Sequence, residues 1–161
     1  MQFLERLTVA IAYVTAFALV LLVILVVFDA SARYLFSAGS TALQELEWHL
    51  FDVVILLSIA YTLRSNAHVR VDILYDKFAP KTQLVIQFVT ILFFILPLSG
   101  LIVYIGYDFV HLSYVQNEAS SDPGGLPYRW IVKALMPLAF VLLILQALKE
   151  LHITLTKWKN L

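Results

Sequence analysis

Residues 7–28, LTVAIAYVTAFALVLLVILVVF, contain no charged side chain and decide the fold class. A helix needs about 20 mostly apolar residues to cross the ~30 Å hydrocarbon layer of a bilayer. Glu5 and Arg6 stand before the stretch, and Asp29 and Arg33 after it. Ala30-Ser31-Ala32 resembles a small-residue cleavage site. The apolar run, however, exceeds the roughly 7–15 residues of a signal-peptide core. An uncleaved transmembrane helix is expected.

Three further spans follow from the same reading. Residues 84–107 are interrupted only by Gln87, Thr90, Pro97 and Ser99. Residues 130–148 carry Lys133 near one end and Pro137 inside; neighbouring helices can satisfy the carbonyl that a proline frees. Residues 46–63 hold Glu47, His49 and Asp52 in their first two turns and become apolar from Val53. A soluble helix there would be stranded between membrane spans. The expected architecture is therefore all-α and integral to the membrane: four transmembrane helices forming a single membrane domain over residues 1–161.

Composition agrees. Of 161 residues, 61% are hydrophobic and 14% charged, and the mean hydropathy is +0.88. Soluble domains carry about 25% charged residues because their surface must be solvated. The 11 basic and 11 acidic residues balance, which gives no electrostatic ground for a nucleic-acid partner. The absence of cysteine excludes disulfides, thiolate metal sites and cysteine nucleophiles.

Basic residues set the expected orientation, because cytoplasmic loops are enriched in Lys and Arg. With the N-terminus inside, eight of the eleven fall on the cytoplasmic side: Arg6, Arg64, Arg70, Lys77, Lys81, Lys149, Lys157 and Lys159. Arg33, Arg129 and Lys133 fall outside. Both termini are thus expected in the cytoplasm. The cytoplasmic connection, 65–82, reads as a short amphipathic helix on the membrane surface, through Ile73, Leu74, Lys77 and Phe78, ended by Pro80. The outer loop, 115–128, contains Asp122-Pro123-Gly124-Gly125-Leu126-Pro127, a rigid turn cluster. Trp48, Tyr128, Trp130 and Trp158 suit the aromatic belts at the headgroups.

Candidate functional residues gather at the outer end. Glu45, His49 and Asp52 stand at i, i+4 and i+7 and share one helix face. Tyr104, Asp108 and His111 repeat the spacing at a similar depth, where the two stripes could face each other. Ionisable groups at membrane depth mark a functional or protein-packed face. One reading is a proton or metal site of two imidazoles and carboxylates. The preferred reading is a hydrogen-bonded interfacial cluster that docks helices or a partner, without metal. Arg33, four residues after Asp29, forms a helical ion pair or reaches Glu45 or Glu47. His68, Arg70 and Asp72 offer a cytoplasmic docking surface, or an ordinary solvated loop.

A haem-bearing membrane anchor of a respiratory redox enzyme is the alternative class. It requires an axial histidine pair in the bundle core. His49 and His111 lie at the outer end and His68 and His152 at the cytoplasmic end, so no cofactor is assigned. No phosphate-cradling glycine loop, nucleophile elbow or metalloprotease motif is found. Four short helices lack the inverted repeats and broken helices of transporter folds. Ala12, Ala16, Gly100 and Gly106 are small residues suited to close helix contacts.

Over nearly its whole length the chain resembles the small, DctQ-like membrane subunit of tripartite ATP-independent periplasmic (TRAP) transporters. The resemblance rests on Arg33-Tyr34-Leu35-Phe36, Gln44-Glu45-Leu46-Glu47-Trp48, Arg64, His68-Val69-Arg70-Val71-Asp72 and Gly124-Gly125-Leu126-Pro127, in that order. It implies a non-catalytic subunit of the bacterial inner membrane that packs against a large transport subunit. The large subunit would use a sodium gradient to take up an organic acid captured by a periplasmic binding protein. The small subunit would support it and offer a docking surface around Arg33, Glu45 and Glu47. Substrate and sodium sites would belong to the large subunit.

Overall fold

A computed structural model describes residues 2–64 and 78–159. Four long helices account for most of them: α1 (Gln2–Phe36), α2 (Thr41–Arg64), α3 (Pro80–Val115) and α4 (Trp130–Lys159). All four are long and apolar enough to cross a membrane, and no strand occurs among the described residues. The surface helix expected within 65–82 falls largely on residues outside the described ones. Pro80 opens α3, at a first-turn position where its missing N–H costs no hydrogen bond.

Each helix continues past its apolar stretch, and its ends are fixed by local chemistry. Arg33, Arg64, Lys157 and Lys159 occupy last turns, where a cation complements the helix dipole. α1 stops at Ser37, whose φ of +50° turns the chain and lets the Ala38 N–H return to the Ala32 carbonyl at 3.1 Å. Thr15, Thr62 and Thr154 donate to carbonyls one turn back at 2.8–2.9 Å, so these hydroxyls need no water inside a bilayer.

α3 is interrupted by a π-helical turn over Thr90–Ile95. The cause lies just beyond it. The ring of Pro97 would meet the Phe93 carbonyl in an unbroken α-helix. The wider turn, in which the Leu96 N–H bonds to the Ile91 carbonyl, absorbs this and aims Ile91 into the core.

The helices pack in the order α1–α2–α4–α3, with α2 and α4 inside the row. Within the spans, 22% of α4 residues are buried against 11% in each other helix, which marks α4 as the central element. A small core of Leu63, Ile91, Leu143 and Ala147 joins α2, α3 and α4. The α3–α4 seam uses small residues at heptad spacing. Ser99, Gly106 and Ser113 are buried, and Gly106 lies so near Met136 and Pro137 that a Cβ there would stand 3.2–3.3 Å from them. Close backbone approach is how helices gain contact where lipid tails are as apolar as the side chains. Gly100, by contrast, faces open space.

Candidate functional site

One end of the row carries residues 37–40 and 116–129; the other carries both ends of the described chain. At the loop end, α3 closes with Asn117 in the left-handed region (φ +46°), the Glu118 N–H returning to Ser113 O and the Asn117 N–H to Tyr114 O. This is a Schellman-type cap, for which Asn is a common substitute for Gly. It swings Glu118 towards α4, where its carboxylate forms an ion pair with Lys133. The same ammonium lies 4.2 Å from the centre of the Phe109 ring. Lys133 holds the Glu118 carboxyl below the usual carboxylate range.

The loop then folds onto α2 through one carboxylate. Glu45 is buried, and its Oε2 accepts the Leu126 N–H at 2.6 Å. Its Oε1 accepts the Ser120 hydroxyl and lies 3.7 Å from the Arg129 guanidinium. Ser120 Oγ in turn accepts the Asp122 N–H at 3.1 Å, so a single hydroxyl links the loop to itself and to α2. The two glycines serve different ends. Gly124 supplies a φ of +79°. At Gly125 a Cβ would collide with the Ser120 side chain and fall 2.9 Å from Glu45 Oε2, so only glycine lets the loop close on the carboxylate.

Between α2 and α4 lies a cleft of about 330 Å³ lined by Glu45, Trp48, His49, Asp52, Arg129, Val132 and Lys133. The stripe Glu45, His49 and Asp52 thus meets the basic start of α4. Asp108 and His111 are not brought to it. They are exposed on α3, away from the buried Gly106–Ser113 seam, and His111 stacks on Tyr107 at 6.1 Å. The two stripes do not face each other because α4 lies between α2 and α3. Among the described residues no group of three or more His, Asp or Glu side chains is placed to hold a metal ion.

Arg33 binds neither Glu45 nor Glu47. Its Nε donates to Asp29 Oδ2 at 2.6 Å, and the Gln44 amide oxygen, turned towards it, accepts from Nη1 and Nη2 at 2.7 and 2.9 Å. It therefore ties α1 to α2. Glu47 is half-buried, with Oε1 enclosed and without a hydrogen-bond donor among the described residues. Trp48 and Tyr128 are exposed at this end, while Trp130 packs edge-on against Tyr114. Trp158 is exposed at the opposite end. His68, Arg70 and Asp72 lie outside the described residues.

Sequence reasoning passed over the partners of Glu45: Ser120, the Leu126 amide and Arg129. It also passed over a polar stripe at the other end. Gln146, Lys149, Glu150 and Thr154 are all buried. Lys149 Nζ contacts Glu5 Oε1 at 2.9 Å, and Gln146 Nε2 donates to Glu150 Oε1 at 2.8 Å. Ending the fourth span at residue 148 hid it, although spacings of three, four and eight residues place all four on one helix face.

These features define a multi-pass membrane protein whose polar groups brace helices and a loop. The sequence profile of tripartite ATP-independent periplasmic transporters, DctQ component, matches residues 22–156, and the chain belongs to this family. It is a small permease subunit of a TRAP transporter, a transporter component and not an enzyme, that associates with other components of the system. Curated protein sequences give no significant match.

Proposed function

We propose that this subunit scaffolds the large transport subunit of an ion-gradient-driven organic-acid uptake system, and that its loop end receives the periplasmic substrate-binding protein. In this reading both termini are cytoplasmic, the membrane is the bacterial inner membrane, and Trp48, Tyr128, Trp130 and Trp158 anchor the helices at the headgroups. One observation carries it: the 116–129 loop is pre-organised on Glu45, while the helices leave long apolar faces uncovered, including Phe17 and Phe28 on α1 and Phe93 and Phe94 on α3. A rigid surface loses little entropy on docking. Uncovered apolar faces suit lipid and a large membrane partner.

Glu45 acts on the partner through the loop it holds, whereas Arg33, Glu47, His49, Asp52, Asp108 and His111 are candidates for direct contact. The test replaces Glu45 and Glu47 with Gln in the complete transporter and measures solute uptake alongside membrane abundance. Uptake should fall while the protein stays in the membrane. Unchanged uptake would remove the docking role. Gentle-detergent purification should yield a colourless sample with a large multi-span partner; a Soret band would instead support a redox anchor.

A further inference from the structure

A groove of about 770 Å³ runs between α1 and α2, towards the end that carries the termini. Its walls are chiefly Val9, Ala12, Ala16 and Leu19 of α1, with Tyr61 and Arg64 of α2. Its two aliphatic hydroxyls bond to their own helices, Thr15 to Ile11 O and Ser58 to Ile55 O, each at 2.8 Å, and Tyr13 and Tyr61 add two phenols to the lining. Apart from the two phenols the lining is largely apolar, and among the described residues its one charged side chain is Arg64, the last residue of α2.

Arg64 makes no ion pair with any described residue. The neighbouring carboxylate, Glu5, is taken by Lys149 at 2.9 Å. An adjoining recess shares Val9 and Tyr13 with the groove and adds a second cation, Arg6, beside Glu5. The groove extends from Val9 to Leu19, about 15 Å at the rise of an α-helix. That is half of the ~30 Å hydrocarbon thickness, one leaflet. A partner's transmembrane helix would need a furrow across both leaflets. An acyl chain needs only one.

We propose that this groove binds one anionic glycerophospholipid, its acyl chain lying along α1 and α2 and its phosphate held by Arg64. A guanidinium pairs with phosphate through parallel N–H donors, which a choline headgroup's own cation opposes. A lipid there fills the gap between α1 and α2 and extends the support of α1, the outermost helix on that side. The site is at the opposite end from the loop and does not depend on the docking role proposed above.

The test is native mass spectrometry of the purified full chain with added phosphatidylglycerol or phosphatidylcholine. Wild-type protein should retain one phosphatidylglycerol in preference to phosphatidylcholine. Arg64→Gln should weaken phosphatidylglycerol retention about fivefold, the equivalent of the ~1 kcal/mol that one basic side chain contributes near an anionic lipid surface. Arg64→Lys should restore part of it. Ala16→Phe, at an exposed position in the groove, should reduce retention of both lipids, with helix content checked by circular dichroism.

Equal retention by wild type and Arg64→Gln would reduce the lipid to part of the general annulus and overturn the proposal. Displacement by millimolar inorganic phosphate would overturn it in favour of a free-phosphate site. In the intact transporter, a diazirine-bearing phosphatidylglycerol should label the α1 segment between Val9 and Leu19. Labelling that misses this segment would show the groove covered by protein and would also overturn it.

Discussion

The Glu45 carboxylate accepts the backbone N–H of Leu126 at 2.6 Å across 81 residues of sequence. Through it the first turns of α2 determine the conformation of a loop that otherwise belongs to α3 and α4. Hydrogen bonds to an ionised acceptor are about twice as strong as neutral ones. Removing the acceptor leaves the Leu126 N–H and the Ser120 hydroxyl without their partner. Glu45→Ala should therefore free the 116–129 loop while the helices persist. Limited proteolysis should cut the variant within the loop well before wild type, with unchanged far-ultraviolet circular dichroism.

The adjacent glycines should respond differently. Gly125→Ala places a methyl where Ser120 and Glu45 stand, and should cost about 1–3 kcal/mol, as overpacking does. Gly124→Ala meets open space but must keep a positive φ, which costs roughly 1–2 kcal/mol for an L-residue. Loop proteolysis separates them. Gly125→Ala should open the contact with Glu45, and adding Glu45→Ala should then do little more. Gly124→Ala and Glu45→Ala should each add to the other.

Gly106 and Gly100 form a second contrast, on one helix. Gly106→Leu drives a side chain into Met136 and Pro137, and should lower stability by about 1–3 kcal/mol. Gly100→Leu projects into open space and should leave stability unchanged or slightly raised. Thermal unfolding in a mild detergent reads both. A similar loss at the two positions would contradict the α3–α4 seam.

The ion pair between Lys149 and Glu5 should be asymmetric. The Lys149 side chain is 5% exposed and that of Glu5 49%. Glu5→Gln strands a buried ammonium, whereas Lys149→Met removes the buried charge altogether. Glu5→Gln should destabilise more than Lys149→Met, and the double variant should recover part of the loss. Thermal unfolding of the three variants checks the order.

Acid should release the loop late. Lys133 holds Glu118 below its ordinary value of 4.5, so the folded form binds the proton less readily than the unfolded one. The stabilisation is complete above the ordinary value and is lost only as pH falls through the lower, folded value. Trp130 lies three residues before Lys133 and packs on Tyr114, so it reports the change once Trp48 and Trp158 are replaced by Phe. Its emission should hold steady through pH 4.5 and shift below it. In Glu118→Gln this transition should shrink, the remainder coming from the Glu45 carboxylate that also holds the loop.

What the sequence by itself determined is the number and nature of the helices. In residues 7–28 the reason is simple: an unbroken apolar run cannot be solvated and must satisfy its own backbone inside lipid. The turn cluster around Gly124 and Gly125, and the acidic face beginning at Glu45, were equally legible, because backbone conformation and helical spacing are local properties. Their meeting was not. Which helices stand side by side depends on where backbones can approach closely, and apolar surfaces that suit lipid and protein alike leave little periodic signal. Gly106 and Gly100 look alike in sequence, yet only Gly106 meets a neighbour. The tertiary order α1–α2–α4–α3 put Arg129 and Lys133 opposite the Glu45 stripe, left Asp108 and His111 outside, gave Arg33 to Gln44, and enclosed Lys149 and Glu150. Each outcome turns on contacts between residues far apart in the chain, which no local pattern encodes.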